Sequence, residues 1–183
     1  MRGLEWRFGP RRLATVATLV CALFALAGPA AAATITPRDT VEPALVTRIN
    51  QVRANHHLPA LSVASRLTTA ATKHANSMAW KGYFRHEFRK DGEWVSFGRW
   101  IRWYWPGPGY PTWTAGENLA WAAPDATPAQ VVNWWMNSPG HRANILGAWN
   151  RVGVAIIRVS NPGGFYRAYS QVTIVVADFG KRT

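Results

Sequence analysis

The sequence predicts an α+β fold, and three observations carry that prediction. Apolar stripes of helical period occupy the first half of the chain and return after Thr127. Two β-branched segments close it, joined by Asn161-Pro162-Gly163-Gly164. Helices and strands are thus segregated along the chain instead of alternating, which is the α+β pattern. With 183 residues the chain is long enough for one domain with a real core, and no internal repeat or second domain is visible.

The first 33 residues read as a secretory signal. Arg2, Arg7, Arg11 and Arg12 make a positive start, an apolar run follows from Leu13 to Ala27, and Gly28 to Ala33 supplies small residues for cleavage. The sole cysteine, Cys21, lies inside this run, so the mature chain is expected to carry no disulfide. Residues 34–39 read as a linker. Thr40 then caps a helix through about Asn55, with Leu45, Ile49 and Val52 as its stripe. The domain proper is placed at 43–180, with 34–42 as linker and helix start. His56-His57 reads as a solvated helix end that complements the dipole.

A second helix is predicted from Ser65 to Lys81 with the stripe Leu67, Ala71, His74 and Met78, which turns His74 toward the core. From Tyr83 to Trp121 six tryptophans interleave with arginines, and a short helix over about 95–103 precedes the breaker Pro106-Gly107-Pro108-Gly109. Two or more of these tryptophans are expected at the surface. Trp100, Trp103 and Trp105 with Arg99 and Arg102 suit a membrane interface, a glycan platform or a cation–π lattice. Thr127-Pro128-Ala129-Gln130 is a capping box with proline at the first helical position, opening a helix with Val131, Val132, Trp134 and Trp135. Segments 151–159 and 168–179 are predicted to pair as an antiparallel hairpin, with Val172, Ile174 and Val176 on one face.

The run from Trp135 to Leu146 is the strongest pointer to a site. Ser138 is placed to cap a short helix with Pro139 at its first position, and Gly147 to end it. His141 then sits in the first turn, where the helix field favours the neutral imidazole that binds metals or accepts protons. Charge bears on partners. Formal net charge is +12. Outside residues 1–33, 17 basic residues face 8 acidic ones, a balance of +9 that favours anionic surfaces. Export makes nucleic acid the least expected partner. Neither a Gly-x-Ser-x-Gly elbow nor a kinase Gly-rich loop accompanies Ser138 or Asp178-Phe179-Gly180, so both of those readings fail.

Three fragments line up in order: Gly82-Tyr83-Phe84-Arg85-His86, Ala115-Gly116-Glu117-Asn118-Leu119-Ala120-Trp121, and Ser138-Pro139-Gly140-His141. With Arg151-Val152-Gly153-Val154-Ala155 and Ala177-Asp178-Phe179-Gly180, the chain resembles the CAP superfamily of cysteine-rich secretory, antigen 5 and pathogenesis-related proteins, in its cysteine-free bacterial branch. The resemblance implies an α-β-α sandwich, a small antiparallel sheet covered by helices on both faces. It also implies a cleft in which His86 and His141 are the histidines and Glu117 the carboxylate, lined by Asn118, Asn137 and Ser138. Members with the full set carry a second glutamate where this chain has Asn137-Ser138, which weakens a two-carboxylate mechanism. Two histidines and one carboxylate would suit a divalent metal, zinc first, with Glu117 as general base of a peptidase-like hydrolase. That hydrolase is the alternative; the first reading is a secreted binding module that docks on an anionic envelope polymer, a lipid or a membrane surface through the His/Glu cleft and the basic tryptophan-rich loop. Relatives that bind sterols and other lipids make a lipid ligand an expectation by resemblance. Whether any reaction is catalysed stays open at this point.

Overall fold

A computed structural model describes residues 32–183. The signal reading up to residue 31, and Cys21 with it, lies outside them. The chain runs β1 (Thr34–Pro37), α1 (Glu42–Asn55), β2 (Ser62–Val63), α2 (Ser65–Lys81), β3 (Phe88–Lys90), β4 (Glu93–Val95), α3 (Phe97–Trp100), β5 (Trp113–Ala122), α4 (Pro128–Met136), α5 (Pro139–Ile145), β6 (Arg151–Ser160) and β7 (Gln171–Arg182). A 3-10 turn extends α3 over Ile101–Trp103, and another, Gly164–Tyr166, lies between β6 and β7.

The hairpin forms as predicted, with Ser160 opposite Gln171 and Arg151 opposite Gly180. It is the centre of a sheet ordered β1-β6-β7-β5, and β2 adds two parallel residues against β6. Residues alternate across this sheet as a pleated strand requires. Val152, Val154, Ile156, Val175, Ala177 and Phe179 pack with Leu45 and Ile49 of α1, Val131, Val132 and Trp135 of α4 and Ile145 of α5. On the other face Ala155, Ile157, Val159, Val172, Ile174 and Val176 meet Ala71, Ala75 and Met78 of α2. The α-β-α sandwich is therefore present, and each fully buried Val, Ile or Leu in it contributes about 1.5–3 kcal/mol. Helix α2 lies so close to β6 that a Cβ on Gly153 would stand 2.0 Å from the backbone nitrogen of Thr68.

Helix α2 has the predicted bounds and buries His74. The capping box on α4 is complete: the Thr127 side chain accepts from the Gln130 N–H, and the Gln130 side chain accepts from the Thr127 N–H. His56 and His57 are exposed at the end of α1.

Four expectations change. The linker over 34–39 contains β1, because Thr34 to Pro37 pair with Ile157 to Ser160. The first helix starts at Glu42, with Val41 and not Thr40 at its N-cap. Ser138 occupies the N-cap of α5 but makes no side-chain capping bond. Gly147 is not needed for left-handed backbone; its lack of a side chain instead makes room for the Trp149 ring, whose Nε1 would lie 2.4 Å from a Cβ there.

The sequence reading missed β5, which pairs along its whole length with β7 from Trp113–Arg182 to Ala122–Thr173. It also missed the small β3–β4 hairpin, whose turn residues Asp91 and Gly92 both have positive φ, as a tight hairpin turn demands.

Candidate functional site

Strand β5 is an edge of the main sheet, and the candidate site forms over that edge. Glu117 sits mid-strand with its side chain on the α2 side, 4% exposed. Its carboxylate accepts two imidazole N–H groups. His74 Nδ1 lies 2.6 Å from Oε2 and His86 Nδ1 lies 2.8 Å from Oε1. Such charge-assisted bonds are the strong kind, and a buried carboxylate depends on them. His74 is fully buried, and its ring packs 4.8 Å from Trp100. His86 differs: half of its side chain is exposed. Helix α2 ends at Gly82 with φ +63°, the left-handed cap that turns the chain toward His86. The indole N–H of Trp100 then donates to the His86 carbonyl at 3.1 Å and holds that turn.

The bond to Glu117 raises the His86 pKa above the ordinary imidazole value, against the opposing effect of burial. His141 shifts the other way. Burial lowers its pKa first, and the nearby charge of His86 second. The expected neutral imidazole at position 141 thus agrees in direction, with desolvation as the leading cause. Its Nδ1 is buried without a hydrogen-bond partner. Asp178 lies directly across from Glu117 on β7, fully buried, with neither carboxyl oxygen hydrogen-bonded. Burial, and then the charge of Glu117, push its pKa well above the carboxylate range.

On the opposite face of β5, Asn118 is fully buried and therefore fixes the cleft from below instead of lining it. Its Nδ2 donates to the His141 carbonyl at 2.9 Å, and its Oδ1 accepts from Asn144 Nδ2 at 2.9 Å. Asn144 also donates to the Glu117 carbonyl at 3.0 Å, and the Trp135 indole donates to the Leu119 carbonyl at 3.0 Å. These side chains tie α4 and α5 to the sheet edge. Asn137, exposed, and Ser138, half-buried, form the joint between the two helices just before His141.

Arg53 of α1, which sequence reasoning passed over, anchors the far end of α5. It is 1% exposed and donates to the carbonyls of Pro59, Ile145 and Gly147. Only its place beside the stripe residues Ile49 and Val52 could have flagged it.

Both oxygens of Glu117 are taken by His74 and His86, and among the described residues no group of three His, Cys, Asp or Glu side chains is placed to hold a metal ion. What the geometry offers is a half-exposed histidine backed by a buried carboxylate, beside a second, neutral-leaning histidine.

The tryptophan-rich segment divides in two. Trp100 and Trp105 are fully buried, which removes them from the expected surface set. With Ile101 they pack on Leu67 and Ala70 and extend the α2 layer, and a Cβ on Gly180 would strike the Trp105 ring at 2.7 Å. Trp103 is exposed, as are Arg99 and Arg102, and Trp94 joins them at the surface.

Comparison with known proteins agrees with this architecture. The model of the cysteine-rich secretory protein family, CAP, matches residues 46–179. The uncharacterized protein YkwD of Bacillus subtilis (strain 168) is 32% identical over 121 residues, 63% of this chain. The match spans only 42% of that relative's length. Among solved structures, an outer surface protein from Borrelia burgdorferi superposes with a TM-score of 0.61 at 21% identity, covering 77% of this chain and 92% of that one. An extracellular protein containing an SCP domain from Bacillus anthracis str. Ames gives 0.58 at 22% identity, over 77% of this chain and 40% of its own. The two structures share the fold, the family model spans most of the chain, and the ordered His86, Glu117 and His141 fragments fall inside its match: this protein belongs to the CAP family of cysteine-rich secretory proteins.

Proposed function

We propose that this protein is an extracellular binding module that docks on an anionic surface of the cell envelope through the basic aromatic face beside its histidine cleft. The observation that carries this reading is Trp94. It is 38% exposed and has two guanidinium groups close to its ring, Arg85 at 4.9 Å and Arg89 at 5.0 Å from the centroid. Exposed Trp103 meets Phe88 edge-on at 5.9 Å, and Lys81 stands 5.8 Å above the same Phe88 ring. Three cations and two exposed indoles are thus held on one short segment by stacking. Stacked arginines lose less freedom on contact with an anion, and indole rings suit the headgroup layer of a membrane. The balance of +9 outside residues 1–33 supports the same reading through long-range attraction. So does the description of the two structural neighbours as outer surface and extracellular proteins.

The test is cosedimentation with phosphatidylglycerol and phosphatidylcholine vesicles over a range of salt. Each basic residue near such a surface contributes about 1 kcal/mol, so Arg85→Gln and Arg89→Gln are each expected to weaken binding to the anionic vesicles about fivefold. Trp94→Ala and Trp103→Ala are expected to weaken it too. Equal binding to both lipids, or binding indifferent to these four changes, would refute the proposal.

A further inference from the structure

Away from the cleft, three arginines converge on one pocket with no carboxylate among its lining residues. The pocket holds about 260 Å³ and is lined by Arg66, Arg151 and Arg182 together with Ser65 and the rim of Trp105. Each guanidinium is held by a backbone carbonyl: Arg66 by Tyr104 at 3.4 Å, Arg151 by Asn150 at 2.9 Å and Arg182 by Pro106 at 2.6 Å. The Arg182 guanidinium also lies against two rings, 4.6 Å from the Trp105 centroid and 4.1 Å from that of Tyr110. Gly107 leaves room for Arg66, whose Nε would lie 3.0 Å from a Cβ there. Among the described residues, none of the three forms an ion pair with a carboxylate.

Three like charges gathered around one small polar space repel one another, and that repulsion is relieved by solvent or by an anion. The guanidinium fork matches a tetrahedral oxyanion better than it matches water, because two parallel N–H groups meet two oxygens. The surroundings add to this. Ala64, the N-cap of α2, has no polar side chain to satisfy the first N–H groups of that 17-residue helix, and it borders the same pocket.

We propose that this pocket is an oxyanion site of the phosphate class, with Arg66, Arg151 and Arg182 as its ligands. The anion is either a free phosphate or the phosphodiester of an envelope lipid; both present the same tetrahedral group to the three forks. The site is separate from the Trp94 face and does not rest on the docking reading, so Arg85→Gln and Arg89→Gln are expected to leave it intact.

The experiment titrates the protein with inorganic phosphate at constant ionic strength, by calorimetry and by the thermal midpoint. Arg66→Gln and Arg151→Gln run in parallel. Both alter pocket-rim side chains that make a single backbone contact, and Arg66→Lys serves where a glutamine variant fails to fold. Saturable phosphate binding that weakens about tenfold or more in either variant, with a phosphate-induced rise in midpoint confined to the wild type, is the expected result. Absence of phosphate binding, with phosphatidylglycerol vesicle binding weakened by Arg66→Gln and Arg151→Gln, would assign the site to the lipid headgroup. Phosphate that stabilises wild type and variants alike, or no dependence of either ligand on these arginines, would overturn the proposal.

Discussion

Glu117→Gln is the change with the most to say about the cleft. The carboxylate accepts from two imidazoles, one fully buried at 2.6 Å and one half-exposed at 2.8 Å. A glutamine keeps the shape but offers one oxygen and one NH₂, so one imidazole either faces a donor or shifts its proton to Nε2, and the charge-assisted character of both bonds is lost. A buried hydrogen bond to a charged group is worth about 1.5–3 kcal/mol. The bond to His86 counts for less, since water screens it. The expected loss is about 2–4 kcal/mol, a fall of roughly 5–15 °C in the thermal midpoint of a domain this size. The pH dependence gives a second reading. The His86 pKa is raised in the folded state, chiefly by Glu117, so its stabilisation is full below the unfolded imidazole value of about 6.5 and fades as pH rises through the folded value. The gap between wild type and Glu117→Gln should therefore be wider near pH 6 than near pH 9. Urea unfolding at several pH values measures the gap, and NMR titration of His86 tracks its cause. A variant within about 0.5 kcal/mol of wild type, with an unmoved His86 titration, would refute the reasoning.

Two further outcomes test the packing around this site. Asp178→Asn should stabilise the protein at neutral pH, because the raised pKa of Asp178 makes wild-type stability decline as pH climbs from the unfolded carboxylate value toward the folded one. Its advantage in urea unfolding should vanish near pH 4, and an advantage constant with pH would contradict the assignment. Gly153→Ala places a methyl 2.0 Å from the Thr68 nitrogen and 2.1 Å from the Leu67 carbonyl carbon, both backbone, so α2 must lift from β6. A cost of about 1–3 kcal/mol or more is expected in thermal unfolding, and an unchanged midpoint would show that the layers are less tightly seated.

Much of this was legible in the sequence where local signals and tertiary demands coincide. The stripe from Leu67 to Met78 marked α2 to the residue, and it turned His74 inward, where the structure buries it. Thr127 and Gln130 announced α4 because their reciprocal bonds are local. Strand β5 was not legible, because its centre reads Glu117-Asn118, two polar residues buried on opposite faces of the sheet, and this hides the alternation. Strand β1 is short and polar, and only pairing with β6 makes it a strand. The tryptophans show the limit most clearly. Spacing could not tell Trp100 and Trp105, sealed against Leu67 and Gly180, from Trp94 and Trp103 at the surface. The partnership of Glu117 with His74 spans 43 positions and leaves no trace in either residue's neighbourhood.

The side chains of Asn144 and Trp135, which hold the carbonyls of Glu117 and Leu119, also decide how a guest is met. An extended peptide that docks by adding a strand needs those carbonyls free to accept its own N–H groups. Here each already accepts a side-chain N–H, so an added strand would have to share or displace the bonds from Asn144 and Trp135 at these two positions. A strand-like guest would thus meet a competitor at both carbonyls, and the half-exposed imidazole of His86 is the group left open to charge and outline.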